Sequence, residues 1–404
     1  MGFDMTTAFR SDLPAPSGAW AAPPRFSFVG GHNDGDSIPF TGLAEAAVTA
    51  IRRDGRRLAT YNLGGSPLGH QPLRDFIAGS LSTRAGLNCD LDEILVVSGS
   101  LQALDLVNAA MLTPGDVVLI EEATYGGMLS RLEAAGVEPI GIALDDHGLR
   151  IDHLDSVLDD LAARSIKPRY LYTIPTVQNP TGTVLPRERR QQLLDLARRY
   201  ELPIFEDDCY ADLTWGCDRP PSIRSLDDAS GQVIYCGSFS KTIGPALRVG
   251  YLVADPPVIR QLLALKTDAG TGAIEQLALA EYAPSHFDAH VDALMAALQA
   301  KCDAMIDALR TEFGSSVDVR APEGGIYVWV TFPEGIDTTS LVPAAAAAGV
   351  EYNPGAAWSV DDDYGARRLR LCFGHLDLDT IRAGVAALAE VFRAETDLPI
   401  GTSQ

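Results

Sequence analysis

Seven short, uniformly apolar runs alternate with helical patterns between residues 94 and 253, and this alternation limits the fold more than any other feature. The runs are Ile94–Val97, Val117–Ile120, Pro139–Ile142, Tyr170–Ile174, Pro203–Phe205, Val233–Cys236 and Val249–Val253. Helical patterns fall between them near 101–111, 126–135, 153–163 and 186–200. Strands without polar alternation need cover on both faces. They therefore predict an α/β architecture around a mostly parallel seven-stranded sheet.

The flanking segments read differently. Residues 1 to about 27 are rich in Pro, Ala and Ser and predict an arm with little regular structure. A helix is expected at about Leu43–Arg53, followed by a glycine-rich connection from Tyr61 to Gly69. Beyond residue 255 long helical stretches run to about Phe313, with Pro284 expected to interrupt them. Strands at Ile326–Thr331 and Leu369–Phe373 and a last helix at about Asp379–Arg393 complete a smaller α+β unit. The expected division is an N-terminal arm over 1–42, a large domain over 43–300 and a small domain over 301–404.

A formal net charge of -22 argues against nucleic acid or an anionic membrane as partner, because both require a basic patch. Cys89, Cys209, Cys217, Cys236, Cys302 and Cys372 show no C-x-x-C or zinc-type spacing, so core thiols in a reducing compartment are expected. The first residues lack a basic region followed by an apolar run, and a cytoplasmic location is expected.

The connection between the last two strands carries the chemistry. It reads Ser238-Phe239-Ser240-Lys241-Thr242-Ile243-Gly244-Pro245-Ala246-Leu247-Arg248. A lysine between two core strands loses proton affinity by desolvation and becomes a usable amine nucleophile. Ser238, Ser240 and Arg248 offer hydroxyl donors and a fixed cationic fork, which is what a phosphate needs. An amine for a Schiff base beside a phosphate cradle points to pyridoxal 5′-phosphate; the bland alternative is a solvated lysine on a serine-rich turn.

Other segments extend this reading. Ser98-Gly99-Ser100-Leu101 joins a strand to a helix, a ready anion site, although a simple serine cap would look the same. Glu206-Asp207-Asp208-Cys209-Tyr210 follows a strand at the carboxyl edge, where open α/β sheets place ligands. A pyridine cofactor needs an anionic partner for its ring nitrogen, and an acidic run there could provide it. Gln178-Asn179-Pro180-Thr181-Gly182 reads as a turn, and Arg368 and Arg370 lie in a strand whose apolar neighbours leave their sidedness open.

With these motifs in this order, the chain resembles the fold-type I pyridoxal-phosphate aminotransferases of class I/II, in the branch that includes α-aminoadipate and kynurenine aminotransferases. The likeness runs from about Phe28 to the last helix. It implies that Lys241 carries the cofactor as an aldimine and then moves the substrate proton. It further implies that Asp207 pairs with the pyridine nitrogen, and that Asn179 and Tyr210 bond the ring's 3′-oxygen. Tyr125 would stack on the ring, while Ser100 and the Leu101 amide join Ser238, Ser240 and Arg248 around the phosphate. Arg370, with Arg368 as competitor, would fork the substrate carboxylate, and Gly31 on the arm would touch the substrate. Tyr61 resembles a tyrosine reaching the phosphate of a second subunit, which implies a homodimer with shared sites.

The implied activity is ping-pong transfer of an amino group from an L-amino acid to a 2-oxo acid, with a place in amino acid metabolism or biosynthesis. A β-lyase, a decarboxylase or a pyridoxal-phosphate oxidase on the same residues stays open, because fold does not fix reaction type. A transcription regulator with an aminotransferase-like domain is the rival from another class. A basic DNA-binding module is its expected mark, and here the charge is acidic and the segment before Gly30 short.

Overall fold

The computed structural model describes residues 3–9, 16, 18, 22, 24–227 and 231–399. Much of the expected arm over 1–27 lies outside the described residues. Within them, Met5–Ala8 forms a short 3-10 turn and Phe26–Ser27 a strand paired parallel with Val350–Glu351.

The large sheet has the seven expected strands: β1 (Ile94–Val97), β2 (Val117–Glu121), β3 (Glu138–Ile142), β4 (Leu171–Thr173), β5 (Ile204–Asp207), β6 (Val233–Ser238) and β7 (Gly250–Val253). Their spatial order is β1-β7-β6-β5-β4-β2-β3. Strand β7 runs antiparallel to both of its neighbours, and the other pairings are parallel. Alternate residues face opposite layers, as strand geometry requires. Tyr172, Phe205 and Ile234 pack with Leu104, Val107 and Met128 on one face, while Leu171, Ile204 and Val233 pack with Leu154, Leu158 and Leu193 on the other.

Helices α1 (Phe40–Asp54), α2 (Gln71–Ala85), α3 (Ser100–Met111), α4 (Gly126–Ala134), α5 (Ile151–Ala163) and α6 (Arg187–Tyr200) surround this sheet. Helix α2 is missed by the sequence reading, although its markers are present. Leu73, Ile77 and Leu81 recur every four residues and are buried, Pro72 stands in the first turn, and Gly86 stops the helix at φ 65°.

Pro284 does not interrupt its helix. Ala273–Phe313 is continuous over 41 residues with Pro284 inside. Pro284 and its two successors are exposed, while Tyr282, Ala283 and Phe287 anchor both flanks of the helix in the core. This helix passes from the large sheet to a second core around Phe26, Phe28, Phe313, Phe332 and Phe392. An antiparallel four-stranded sheet covers that core, ordered Asp318–Val319, Tyr327–Thr331, Arg368–Cys372, Asn353–Pro354. The C-terminal helix Leu378–Glu395 closes it.

Candidate active site

The carboxyl edge of the large sheet opens into a cavity of about 530 Å³. Strand β1 delivers the Ser98–Leu101 turn, β2 the segment to Tyr125, β4 the loop to Asn179, β5 the acidic run and β6 the Lys241 connection. Gly31, Ser100, Leu101, Tyr125, Asn179, Asp207, Tyr210, Ser240, Lys241, Arg248 and Arg370 all line it. Two predicted residues do not. Ser238 Oγ accepts from the Ser240 amide at 3.1 Å, which fixes the turn and leaves its own hydroxyl hydrogen to donate. Tyr61 lies elsewhere on the surface and is 81% exposed.

Lys241 is set apart from the other lysines of the chain. Lys167, Lys266 and Lys301 each reach a carboxylate, on Glu201, Asp268 and Asp34 respectively. Lys241 Nζ instead donates to the Gly31 carbonyl at 2.7 Å. Burial pushes its pKa down, which favours the neutral amine. A Cβ on Gly31 would lie 2.7 Å from Nζ and push the amine out of this contact.

The acidic run divides by direction. Glu206 accepts from the Ile223 and Arg224 amides at 2.7 and 2.9 Å, and burial raises it to about 7. Asp208 pairs with Arg219 at 2.9 Å and accepts from Tyr235. Of the three, only Asp207 reaches the cavity. Its Oδ2 accepts from the Tyr172 hydroxyl at 2.7 Å, and burial pushes its pKa up. A buried carboxylate with neutral donors, and no cation beside it among the described residues, is suited to receive a protonated ring nitrogen.

Arg370 and Arg368 separate equally clearly. Arg368 stacks on Tyr364 at 3.6 Å and donates to the Tyr364 carbonyl, lining a different surface groove. Arg370 is 2% exposed and stacks on Trp358 at 3.7 Å. It donates to Asn179 Oδ1 at 3.0 Å, the Gly30 carbonyl at 2.6 Å and Asn353 Oδ1 at 2.9 Å. Its Nε has no partner, and no carboxylate reaches the guanidinium among the described residues.

The opposite end of the cavity is built for an anion. The α3 N-terminus presents the Ser100 and Leu101 amides, and Arg248 lies across it with Nη1 3.5 Å from Ser240 Oγ. Gly99, at φ 81°, lets the guanidinium approach, since a Cβ would meet Arg248 Nη2 at 2.2 Å. Phosphate donors at one end, a buried carboxylate, a desolvated amine and an aromatic face fit a phosphorylated pyridine aldehyde.

Trp358, Asn353, Tyr172 and Cys209 were not anticipated from sequence. Tyr172 and Cys209 look like core in a linear reading, and Trp358 follows an alanine-rich turn without a motif. Glu121 was missed as well. It is 1% exposed, accepts from Thr173, Gln178 and the Ile174 amide, and is pushed up to about 7 by burial.

Residues 31–388 match the family described as aminotransferase class I and II. Aromatic-amino-acid aminotransferase 1 of Thermococcus litoralis is 33% identical over 91% of this chain and 88% of its own. The crystal structure of Pyrococcus horikoshii kynurenine aminotransferase in complex with PMP, with KYN as substrates and KYA as products, superimposes with a TM-score of 0.86 at 32% identity. It covers 92% of this chain and 91% of that one. The uncharacterized HTH-type transcriptional regulator YisV of Bacillus subtilis is 32% identical over 81% of this chain but 66% of its own length. Family, fold and cavity converge: the chain belongs to the class I and II aminotransferases and is a transaminase whose cofactor is pyridoxal 5′-phosphate.

Proposed function

We propose that the residues of this cavity divide the transamination of an L-amino acid and a 2-oxo acid as follows. Ser100, the Leu101 amide, Ser240 and Arg248 hold the cofactor phosphate, and Tyr125 covers a ring face. Asp207 holds the ring nitrogen and is itself oriented by Tyr172. Asn179 and Tyr210 bond the ring oxygen; burial holds the Tyr210 phenol well above its usual pKa, so it acts as a donor. When bound, the cofactor supplies the electron sink that makes the substrate Cα–H acidic.

Lys241 Nζ would hold the cofactor, yield to the substrate amine, and then take the proton from Cα and deliver it across the substrate nitrogen to the cofactor carbon bonded to that nitrogen. Its desolvated setting keeps it neutral enough to accept that proton. Arg370 receives the α-carboxylate through two parallel bonds, turning Cα toward Nζ. Trp358 holds the guanidinium plane, and Gly31 gives the substrate room beside the amine. The observation that carries this reading is the buried Arg370, with no carboxylate partner among the described residues, sharing one cavity with Lys241, the one lysine without an acidic partner among them.

A homodimer is supported by the surface around Tyr61. Phe40, Val48 and Ile51 on α1, Leu58 and Tyr61 after it, and Ile274 on the long helix packed against α1 are all exposed. Exposed apolar side chains on these neighbouring elements fit burial against a second copy, with Tyr61 reaching that copy's phosphate end. No helix of the described residues is long and apolar enough to cross a membrane, and the six cysteines are free. Those free thiols support a cytoplasmic setting.

The test is a single-turnover panel of amino acids followed by cofactor absorbance. Stoichiometric conversion to the amine form, reversed by 2-oxoglutarate, is expected for at least one donor. Release of carbon dioxide, hydrogen peroxide or pyruvate without that conversion would favour decarboxylase, oxidase or β-lyase chemistry instead.

A further inference from the structure

Behind the cavity floor, Asp207, Cys209 and Cys236 bring a carboxylate oxygen and two sulfurs within 4.8 Å of one another. The placement follows from the sheet: Asp207 and Cys236 are register partners on β5 and β6, and the Asp208 amide donates to the Cys236 carbonyl at 2.9 Å. Cys209, two residues beyond Asp207, turns back over the pair and lines the cavity. Two soft sulfurs and one hard oxygen at this spacing match a tetrahedral zinc-type set. Zinc–sulfur bonds of about 2.3 Å put ligand atoms roughly 3.8 Å apart, and a set of three protein ligands leaves the fourth position to water.

We propose that Asp207, Cys209 and Cys236 form a site for a thiophilic divalent cation of the zinc type, occupied when the cofactor is absent and closed by its binding. The mutual exclusion rests on the reading in which Asp207 holds the cofactor ring nitrogen. A carboxylate that ligates a metal cannot accept that hydrogen bond, so metal and cofactor compete for one oxygen. Cys209 and Cys236 enter the site as thiols, neither of them in a disulfide. Binding therefore forms two metal–sulfur bonds and one metal–oxygen bond and releases two protons to solvent. The consequence is a chain that cannot be loaded with cofactor while it holds zinc.

The experiment uses the full-length apoprotein with zinc chloride by calorimetry and cadmium chloride by the ultraviolet thiolate-to-cadmium band. One equivalent per chain is expected, with about two protons released, read from the buffer dependence of the heat. Cys209→Ser and Cys236→Ser should each weaken binding at least about tenfold, while Cys217→Ser, at an exposed thiol, should leave it unchanged. If Cys236→Ser fails to fold, Cys209→Ser alone decides, because Cys209 is only partly buried. No uptake, or uptake undiminished in Cys209→Ser, overturns the site. Uptake lost after saturation with pyridoxal 5′-phosphate is the expected competition. Equal uptake by apoprotein and holoenzyme overturns the exclusion while leaving the metal site standing, so the two failures are distinct.

Discussion

Arg370 donates from Nη1 to Asn179 Oδ1 at 3.0 Å, so the arginine fixes which way the asparagine amide points. An arginine offers only donors, which assigns the oxygen to this contact and leaves Nδ2 as the donor available to a ligand. Arg370 and Asn179 are thereby one hydrogen-bonded unit.

Arg370→Lys keeps a charge but loses the fork and the stacking on Trp358. Amino-acid affinity should fall at least tenfold, about 1.4 kcal/mol or more, while cofactor affinity changes little. Arg368→Lys should leave both near wild type. Saturation kinetics on the half-reaction, with cofactor binding followed separately, checks the pair, and the opposite ranking would move the carboxylate site to Arg368.

Neighbouring acids should fail in different ways. Asp207→Asn should cut the half-reaction rate by orders of magnitude with a nearly unchanged melting temperature. Asp208→Ala breaks a buried ion pair with Arg219 and should cost stability, on the order of 3 kcal/mol, with less effect on the chemistry. Thermal melts beside single-turnover rates separate the two outcomes.

Glu121 gives a pH dependence with a definite sign. Its folded pKa, about 7, lies above its ordinary 4.5, so the folded state binds this proton more tightly than the unfolded chain. The stabilisation is complete below pH 4.5 and is lost as pH rises through 7, on the order of 3 kcal/mol in all. Glu121→Gln should flatten the fall in melting temperature between pH 5 and 8. Because Glu121 holds Gln178, which bonds Thr181 in the Asn179 loop, Glu121→Ala should also weaken substrate binding. A pH profile identical in wild type and Glu121→Gln would remove Glu121 as its source.

Shared active sites predict complementation. Tyr61→Ala and Lys241→Ala, each impaired alone, should regain activity when mixed after dissociation and reassociation. One native site per mixed dimer sets the ceiling. An active monomer at assay concentration, seen by light scattering, would rule sharing out.

The large sheet was legible because each strand is short and apolar throughout, and Lys241 because a lysine between two such strands is costly without a role. The L-R-L-C-F register favours Arg370 and leaves Arg368 as a competitor. Both lie in one strand with apolar neighbours, and it is Trp358 and Asn353, distant in sequence until the fold forms, that single out one of them. Helix α2 was lost among the glycines and prolines around it. Pro284 misled because propensity is local, whereas exposure of its face is a tertiary property.

The most direct test of the central claim is borohydride reduction of the holoenzyme followed by peptide mass mapping. The chain has few alternatives: Lys167, Lys266 and Lys301 are each engaged with a carboxylate. Reduced cofactor is expected on Lys241 alone, at one per chain, and none on Lys241→Ala. Stoichiometric adduct on any other lysine, with Lys241 unmodified, would contradict the account.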